Sequence, residues 1–486
     1  MRPWLAERGR YQPDAPAIFW QGDTYTYGQL AERVARRAAI LADRGVDAGS
    51  RVALLGGNSL EYVCAVHATF WLGGTLVPLN AGLAGAELEA QYDEMAPDLL
   101  LVDERVGWGL GRPGAMALEE LAERADRRDE GVRAAEVDPE TPATIFYTSG
   151  TTGRPKPVPL TWANHLASAS ASAFNLGIAP EERWLASLPL YHVGGLAVVV
   201  RSAIYGTAVD LMADFEAERV AAYLADRPVT LASFVPTMVR RLFEVAARPG
   251  DGLRAGLVGG GPADADLLEV CRERGFPARP TWGMTETASQ FATLPEGRRL
   301  GEPGNVGPPL FGGEVRIVDG EGRRVPTGVA GQIQVRGPMV FDGYVDRPAR
   351  NDQAFVDGWF DTGDVGGRND RGDLIVEARR SERIVTGGEN VDPREVEAAL
   401  REHPSVDEAC VVGLPDPEWG EIVAAAVEST GAGATVEALR THCRRSLARF
   451  KSPKRWNIVS QLPRTGSHKI DRRRVRQQFG SPRQEE

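Results

Sequence analysis

Hydrophobic positions along the first hundred residues alternate between helical spacing and short continuous runs. Apolar residues recur every three or four positions from 30 to 41, which predicts a helix that ends at Gly45. Residues 51–55 then form a continuous apolar run of the kind buried in a parallel sheet. The alternation repeats as predicted helices at 65–71 and 88–94 and predicted strands at 75–78 and 99–102. Strands that alternate with helices predict a doubly wound α/β architecture.

The pattern changes twice in the second half of the chain. Short alternating strands with glycine turns occupy 312–336 and predict a small β subdomain, and the charged segment 378–383 before Gly387 and Gly388 predicts a hinge. Beyond it, helices are predicted at 393–400 and 436–450 and strands at 410–413, 422–427 and 456–459. We therefore predict an α/β protein. Its large N-terminal domain, 1–380, has doubly wound sheets and a small β subdomain, and its C-terminal domain, 381–486, is small, mobile and α+β.

Composition narrows the class of protein. A chain of 486 residues is too long for one ordinary core, and 42% hydrophobic and 25% charged residues are typical of a soluble globular protein. A net charge of -11 disfavours non-specific binding to nucleic acid. A local basic patch could still hold a small polyanion, and it consists of Arg444, Arg445, Arg449, Lys451, Lys454 and Arg455.

The cysteines and the apolar segments indicate the cellular compartment in which the protein is expected. Cys64, Cys271, Cys410 and Cys443 form no C-x-x-C pair, which argues against a structural zinc and a disulfide scaffold. The first residues contain no apolar run after their charges, so we expect no secretory signal. Charged residues and glycines interrupt the most apolar stretch, 185–212, which predicts buried elements instead of a transmembrane segment. The expected location is a reducing cytoplasm.

The stretch from Tyr147 to Lys156 predicts a phosphate-binding loop. Its hydroxyl residues and glycines leave backbone N–H groups available to anionic oxygens, and Lys156 adds a compact positive charge. The spacing is not that of a Walker A motif. A hydroxyl-rich surface turn is the structural alternative.

Other polar clusters follow predicted strands, where α/β folds bind ligands. His192 lies in a Tyr-His-Val-Gly-Gly segment, with a core histidine as the alternative. The segment from Gly259 to Pro262 suits close approach by a flat ligand, and a plain structural turn is the alternative. Trp282 could face a purine, and Glu286 could bind Mg²⁺, which prefers oxygen donors. Two carboxylates in the segment 359–364 could accept ribose hydroxyls or form an Asx turn.

Eight motifs occur together in a fixed order, namely T-S-G-T-T-G-R-P-K, Y-H-V, G-G-G-P, T-W-G-M-T-E, W-F-D-T-G-D, A-R-R-S-E-R-I, G-G-E-N-V and P-R-T-G-S-H-K-I. Together they resemble the adenylate-forming superfamily of acyl-CoA ligases, luciferases and peptide-synthetase adenylation domains along nearly the whole chain. The resemblance implies that a carboxylic acid and ATP form an acyl-AMP and pyrophosphate, after which a thiol, expected to be that of coenzyme A, attacks the acyl group.

The resemblance also implies roles for individual residues. Lys469 would bridge the substrate carboxylate and the α-phosphate, Glu286 would hold Mg²⁺, and the small domain would rotate about Ser381. The loop from Thr148 would hold the β- and γ-phosphates, and Asp364 with Arg379 would bind the ribose. The implied nucleotide- and CoA-binding set is Thr148, Ser149, Gly150, Thr151, Thr152, Gly153, Lys156, Gly259, Gly260, Gly261, Pro262, Thr281, Trp282, Gly283, Met284, Thr285, Asp364, Arg379, Gly387 and Gly388.

Within the superfamily, the motifs L-P-L-Y-H-V-G-G-L and T-W-G-M-T-E-T-A-S-Q resemble ligases whose aromatic acid carries a second carboxylate. A cation or hydroxyl must meet that second charge, and the candidates are Arg201, Ser289 and Gln290, with His192 near the acyl path. For Arg201 an arginine at a strand end or on the surface is the alternative. The remaining partners are expected to be small molecules, with no nucleic acid, and the chain could form a homo-oligomer.

Three residues depart from the motifs of the superfamily. Pro157 follows the phosphate loop where glycine is usual, and it lacks a backbone donor. Ala378 and His468 also replace glycines, at the hinge and before the final lysine. None of the three removes a charged group. Four other readings stay open: a CoA ligase for fatty or other aryl acids, an enzyme that loads a carrier protein, a luciferase-like oxygenase and a nucleotide-binding sensor without catalysis.

Overall fold

The structure, a computed structural model, describes residues 1–148, 155–245, 250–261, 263–298, 300–379, 383–429, 434–464 and 470–479, with residues 378 and 379 described as backbone. The chain divides into two compact units. The larger unit comprises Met1–Ala81, Tyr92–Tyr147 and Pro157–Ala378. The smaller unit comprises Gly82–Gln91, Thr148–Lys156 and Arg379–Glu486, so it includes two segments from the first half of the chain.

Helices form where the apolar spacing predicted them, and several begin at side-chain caps. Thr26 caps the second helix and Thr161 the sixth, each through a reciprocal capping box with the residue three positions later. The helices are α1 Trp4–Tyr11, α2 Tyr27–Asp43, α3 Leu60–Trp71, α4 Gly85–Met95, α5 Leu118–Asp126, α6 Trp162–Leu176, α7 Val193–Tyr205, α8 Ala217–Asp226, α9 Pro236–Glu244, α10 Ala265–Glu273, α11 Pro348–Ala354, α12 Pro393–Arg401, α13 Val436–Ser446 and α14 Arg472–Gln478. The helix predicted to reach residue 450 therefore ends earlier, at Ser446.

The strands are short, and many are buried along their whole length. They are β1 Pro16–Trp20, β2 Asp23–Thr26, β3 Arg51–Leu55, β4 Thr75–Leu79, β5 Leu99–Val102, β6 Ala115–Ala117, β7 Pro142–Thr148, β8 Lys156–Thr161, β9 Arg183–Ala186, β10 Ala208–Leu211, β11 Leu231–Phe234, β12 Ala255–Val258, β13 Ala278–Met284, β14 Ser289–Thr293, β15 Glu314–Val318, β16 Gly331–Arg336, β17 Phe355–Val356, β18 Trp359–Arg368, β19 Leu374–Arg379, β20 Ile384–Thr386, β21 Glu389–Val391, β22 Glu408–Asp416, β23 Gly420–Glu428 and β24 Arg455–Val459.

Two sheets with mainly parallel strands build most of the larger unit. One has the order β6-β5-β3-β4-β7-β8, and the other has the order β14-β13-β12-β11-β9-β10-β1-β2. In the first sheet Leu55 pairs with both Leu79 and Val102, and all three are fully buried. Continuous apolar runs on neighbouring strands fit a sheet covered on both faces. The predicted doubly wound α/β architecture is confirmed.

The β subdomain of the larger unit and the core of the smaller unit are separate sheets. Strands β15, β16, β18 and β17 pair in that order, and β19 joins β18. In the smaller unit the order is β21-β20-β23-β22, with β24 on β23. Helices α12 and α13 contribute buried apolar residues such as Val396, Leu400 and Leu439 to one cluster with that sheet. The predicted α+β character of the C-terminal region is therefore present in the structure.

The apolar stretch 185–212 folds as β9, α7 and β10. Among the described residues, no helix is both long and apolar enough to span a membrane. Helix α7 is nevertheless buried from Gly195 to Ala203, and this buried segment includes the charged side chain of Arg201. The fold thus places a permanent positive charge inside the larger unit.

Candidate active site

Arg201 is held between α6 and β14 in the interior of the larger unit. Arg201 is only 3% exposed. Nη2 donates to Ser168 Oγ over 2.9 Å, and Nη1 donates to Gln290 Oε1. Among the described residues its polar partners are thus neutral oxygens, and burial lowers the pKa of the guanidinium. Since a guanidinium stays charged in proteins, this is a buried cation for which the described part of the chain supplies no paired anion.

The partners of Arg201 are themselves fixed. Ser172 Oγ donates to Gln290 Oε1 over 2.9 Å, and Gln290 Nε2 donates to Thr293 Oγ1 over 3.0 Å. Ser168 Oγ donates to the carbonyl of Ala288 over 2.7 Å. The amide oxygen of Gln290 therefore accepts from two donors and holds the arginine in one orientation.

Sequence reasoning missed Ser168 and Ser172. Both lie in the Ala-Ser repeat of α6, where small residues suggest plain helix packing. Their spacing of four residues was the available signal, because it places two hydroxyls on one face of a helix. That face is buried in the structure.

The backbone after Glu286 is strained. Ala288 and Ser289 have φ values of 50° and 90°, both in the left-handed region. Such conformations in residues with a Cβ cost about 1–3 kcal/mol each and cluster at functional sites. A Cβ on Gly283 would lie 1.8 Å from the carbonyl oxygen of Ser289, so the glycine of the T-W-G-M-T-E motif is required by this close approach.

Glu286 is a buried carboxylate held at one oxygen. It is 6% exposed, and Tyr344 Oη donates to Oε1 over 3.0 Å. Its backbone oxygen accepts from the N–H of Phe341 over 2.9 Å. Within the described ranges there is no cluster of three or more His, Cys, Asp or Glu side chains suited to a metal. A lone carboxylate fits Mg²⁺, which takes one or two protein carboxylates and completes its shell with waters and phosphate oxygens.

Trp282 and Asp364 form a buried pair. The indole N–H donates to Oδ2 of Asp364 over 2.8 Å, and the two residues are 8% and 2% exposed. The Trp282 ring also contacts Phe291 edge-on, with centroids 6.0 Å apart. The other carboxylate of the motif, Asp361, accepts from the N–H of Gly363 over 3.0 Å and so forms the Asx turn. The two acidic residues therefore have different contacts: Asp361 forms a turn, and Asp364 accepts a hydrogen bond from Trp282.

Glycines allow backbone segments to approach closely beside this pair. A Cβ on Gly259 would lie 2.7 Å from Cγ2 of Thr281, and Gly260 has a φ of 75°. Thr281 Oγ1 in turn donates to the carbonyl of Ala292 over 3.0 Å. Gly261 is described, whereas Pro262 lies outside the described residues. Gly259 therefore packs directly against Thr281 of β13, where a side chain would clash, and the contact with a flat ligand stays a prediction.

His192 is the residue before the first turn of α7. Its ring contacts that of Tyr191 at a centroid distance of 4.7 Å, and the residue is partly exposed. The core-histidine alternative therefore does not describe His192. It does describe His67 and His165, which are 3% and 5% exposed. A Cβ on Gly195 would lie 2.2 Å from the carbonyl oxygen of Pro189, which explains the second glycine of this motif.

Much of the predicted phosphate loop lies outside the described residues. Thr148 ends β7 and Lys156 begins β8, and Lys156 is 7% exposed. Ser149, Gly150, Thr151, Thr152 and Gly153 are not described. Pro157 lies within β8, where its carbonyl accepts from the N–H of Val345 over 3.1 Å.

Four further residues of the sequence motifs are not described in full. Ser381 and Lys469 lie outside the described residues, as does His468. Arg379 is the last residue of β19, and only its backbone is described. Their roles stay predictions from the sequence.

The smaller unit carries the glycine turn and the basic side chains. Gly387 and Gly388, with φ values of 60° and 90°, connect β20 and β21. The N–H of Gly387 donates to the carbonyl of Trp419 over 2.9 Å, and Lys454 Nζ lies 3.7 Å from the Trp419 ring. Trp419 is 38% exposed, so an aromatic face and a cation lie beside the turn.

Lys451 does not belong to the exposed basic patch that the sequence suggested. It is 5% exposed, and Nζ donates to Glu395 Oε1 over 2.8 Å and to Glu87. Burial lowers the pKa of Lys451, but the two carboxylates outweigh burial and raise it overall. Lys451 is therefore a buried structural cation of the smaller unit.

Comparison with known protein families gives a match to both parts of the chain. A family model described as AMP-binding enzyme matches residues 5–345, and one described as AMP-binding enzyme C-terminal domain matches residues 395–469. The chain therefore belongs to the AMP-binding enzyme family.

A curated relative and several solved structures match almost the whole chain. The 2-succinylbenzoate–CoA ligase of Bacillus licheniformis is 40% identical over 478 residues, 97% of this chain and 98% of the relative. A double mutant of o-succinylbenzoate CoA synthetase from Bacillus subtilis, bound to a product analogue, is 36% identical with a TM-score of 0.91, covering 98% of both chains. The structure of the same enzyme with its acyl-adenylate intermediate is 36% identical in sequence with a TM-score of 0.74, and the match covers 100% of this chain and 99% of that one. The structure of that enzyme with ATP and magnesium is also 36% identical with a TM-score of 0.74, and the match covers 99% of this chain and 100% of that one.

Proposed function

We propose that this chain is an AMP-forming acid–thiol ligase that converts 2-succinylbenzoate and CoA to the CoA thioester. In the first step a carboxylate oxygen of the acid attacks the α-phosphorus of ATP, and pyrophosphate leaves. In the second step the sulfur of CoA attacks the acyl carbon of the acyl-AMP, and AMP leaves while the thiol proton is released. The family, the named ligase at 40% identity and its complexes with the acyl-adenylate and the product analogue support this reaction.

The buried cation is the observation that carries the choice of acid. 2-Succinylbenzoate reacts at one carboxylate and keeps a second one on its ring. Arg201 is buried, charged and hydrogen-bonded to neutral oxygens, so an anionic ligand would supply the missing charge. We assign the ring carboxylate to Arg201.

The neighbours of Arg201 divide into two roles. Gln290 and Ser168 orient the guanidinium through their oxygens, so they are positioning residues. Ser289, held in a left-handed conformation, and His192, partly exposed at the start of α7, are the candidates to contact the acid itself. Gln290 thereby changes from a predicted substrate contact to a support for the arginine.

Glu286 fits the magnesium role. Tyr344 fixes one carboxylate oxygen, and burial restricts the side chain of Glu286 to one position. When bound, Mg²⁺ would neutralise charge on the phosphates of ATP. The contribution of the chain is to hold Glu286 in place.

The nucleotide is assigned to the remaining motifs. Asp364 would accept the ribose hydroxyls, and its contact with Trp282 fixes the carboxylate for that task. Gly259 to Gly261 would lie against adenine. Arg379 would join Asp364, and the loop from Thr148 to Lys156 would bind the leaving pyrophosphate. Lys469 would bridge the two anions that must meet, because like charges approach only with a cation between them.

The thioester step is assigned to the smaller unit. Gly387 and Gly388 would line the path of the thiol, and Ser381 would be the pivot between the two half-reactions. Lys454 beside Trp419, with the neighbouring arginines of the basic patch, supplies charge for the phosphates of CoA. We also propose a cytoplasmic location, since all four cysteines are buried and unpaired.

Pyrophosphate release from ATP tests the proposal across a panel of acids, with and without CoA. We expect strong turnover with 2-succinylbenzoate and formation of its CoA thioester. Turnover confined to fatty or simple benzoic acids would overturn the acid assignment and leave the ligase. Acyl-AMP formation with transfer to a carrier protein but not to CoA would favour the carrier-loading alternative. Absence of turnover with every acid would favour a nucleotide sensor.

A further inference from the structure

The 341–347 segment, which lies between β16 and α11, holds the candidate magnesium ligand near its start. The N–H of Phe341 donates to the backbone oxygen of Glu286 over 2.9 Å, and Tyr344 Oη donates to Oε1 of the same residue over 3.0 Å. Both the backbone and the side chain of Glu286 are therefore bonded to one short stretch of chain. All of these residues belong to the larger unit.

The same segment continues to both ends of the predicted phosphate loop. The N–H of Val345 donates over 3.1 Å to the carbonyl of Pro157, the residue that follows the loop. Two residues later, Arg347 Nη2 donates to Oε1 of Glu94, whose Oε2 accepts from Tyr147 Oη over 3.0 Å. Tyr147 stands at the start of the loop. One segment therefore reaches the magnesium ligand and the chain on either side of the loop.

The position of Glu94 is explained by these contacts and not by the stability of its helix. Glu94 lies in the last turn of α4, where the helix dipole disfavours a negative charge, and α4 contains no Lys, Arg or His. Its side chain is 29% exposed, and that of Arg347 is 35% exposed. Burial and the charge of Glu94 raise the pKa of Tyr147, so the phenol stays protonated and remains a donor. The carboxylate thus connects the 341–347 segment to the start of the loop.

Backbone and ring contacts fix the middle of the segment. The N–H of Tyr344 donates to Oδ1 of Asn351 over 2.8 Å, and Nδ2 of Asn351 donates back to the carbonyl of Tyr344 over 3.0 Å. A Cβ on Gly343 would lie 2.8 Å from that Nδ2 atom, so this packing requires glycine. The ring of Phe341 packs against those of Tyr344 and Phe360 at centroid distances of 4.9 and 5.1 Å. The segment is therefore held in one conformation between its two ends.

We propose that the 341–347 segment sets the position of the phosphate loop relative to Glu286. In this arrangement Arg347, Glu94 and Tyr147 are positioning residues for ATP. The inference rests on the proposed function, in which the loop and the magnesium ion contact the same phosphates. A metal that bridges phosphate oxygens needs its protein ligand and the phosphate donors at a fixed separation, and a misplacement of about 1 Å can cost about 100-fold in rate. The alternative is a plain surface ion pair, which leaves nucleotide binding unchanged.

Calorimetric binding of ATP with magnesium, and of AMP, to the full chain tests the proposal, because AMP lacks the phosphates assigned to the loop. In Arg347→Met the Kd for ATP should rise about fivefold, the most that a partly exposed ion pair usually contributes, and the Kd for AMP should change less than about twofold. Arg347→Lys keeps the charge and should restore most of the ATP affinity. Arg128→Met is the matched control and should change neither Kd. Arg128 is 37% exposed, donates to Asp43 over 2.6 Å and belongs to none of the motifs.

The two half-reactions give an independent readout. Pyrophosphate release by Arg347→Met should show a raised KM for ATP and an unchanged KM for the acid. Thioester formation from synthetic acyl-AMP should keep its natural rate, because that step involves neither the β- nor the γ-phosphate. Tyr147→Phe should also raise the KM for ATP, and the double variant should not multiply the two effects, since both act through Glu94.

The outcomes separate this proposal from the proposed function. Equal losses of affinity for ATP and AMP in Arg347→Met, equal losses of both half-reactions, or unchanged affinity for ATP would overturn the positioning role and leave the ligase. A natural chain that binds neither ATP nor AMP would overturn the proposed function and the positioning role together.

Discussion

Trp282 donates its indole N–H to Oδ2 of Asp364 over 2.8 Å, 82 residues further along the chain. The contact joins two motifs that are separate in sequence, T-W-G-M-T-E and W-F-D-T-G-D. It fixes the orientation of a carboxylate that is only 2% exposed. A tryptophan at this position therefore acts through its nitrogen as well as through its ring.

Trp282→Phe should raise the KM for ATP about tenfold, because removal of one partner from a buried hydrogen bond costs about 1–3 kcal/mol. The aromatic ring is kept, so stacking is preserved while the donor is lost. Steady-state kinetics of pyrophosphate release measure the effect. The KM for the acid should change little at saturating ATP. An unchanged KM for ATP would show that Asp364 does not bind the nucleotide.

Arg201→Met should separate a ligand-binding arginine from a structural one. With 2-succinylbenzoate we expect kcat/KM to fall about 100-fold or more, as lost charge-assisted hydrogen bonds are worth about 1.5–3 kcal/mol each. An analogue without the ring carboxylate should lose less than about threefold, since it never uses those bonds. The two substrates serve as controls for each other in one variant.

Stability adds a second readout for Arg201. Arg201 is a buried charge with no anionic partner in the described ranges, so its replacement by an apolar side chain of similar length should leave the unfolding midpoint unchanged or raise it. A large loss of stability, with equal losses of activity on both acids, would assign Arg201 to the packing of α6 against β14.

Lys469→Ala should abolish acyl-AMP formation and largely spare thioester formation from synthetic acyl-AMP. The resemblance to adenylate-forming enzymes implies that this lysine acts only in the first half-reaction. Single-turnover measurements of each half-reaction distinguish the two steps. Lys451→Ala offers a contrast, because Lys451 is buried between two carboxylates and its loss should destabilise the smaller unit instead. Equal loss of both steps in Lys469→Ala would contradict the domain rotation.

Two buried histidines should make the protein less stable in acid. Burial lowers the pKa of His67 to about 4, and burial with the charge of Arg201 lowers that of His165 to about 3. The unfolded chain binds protons near pH 6.5, whereas the native histidines stay neutral, so stability falls as the pH drops from about 6.5 towards 4. For His67 the loss is at most about 3 kcal/mol.

His67→Gln tests this pH dependence because glutamine does not titrate. Thermal unfolding midpoints between pH 4 and 7 should decline less steeply in this variant than in the natural chain. His403→Gln, at a partly exposed position where burial and the charge of His442 also lower the pKa of the histidine, is the comparison and should flatten the decline less than His67→Gln. Parallel declines in His67→Gln and the natural chain would show that other groups govern the acid transition.

The order of the motifs and the hydrophobic pattern determined the class of this protein. Continuous apolar runs such as 51–55 can be buried only in a sheet covered on both faces, so the α/β architecture followed from local sequence. The motifs contain glycines at 259, 283 and 195, but the sequence does not show why glycine is required at these positions. Gly195 and Gly283 are required by the carbonyl oxygens of Pro189 and Ser289, which turns bring back onto them, and Gly259 is required by Thr281 on the neighbouring strand. The sequence does not show these close approaches.

Only the tertiary structure decided which polar residues share a site and which are structural. Lys451 looked like part of an exposed basic patch, yet folding buries it with Glu87 and Glu395. Arg201 looked equally suited to a strand end or a substrate, and its burial beside Gln290 favours the substrate. Ser168 and Ser172 were concealed in a small-residue helix. Sequence spacing determines which face a side chain occupies, whereas its partners depend on the packing of elements that lie apart in the sequence, here by 33 to 364 residues.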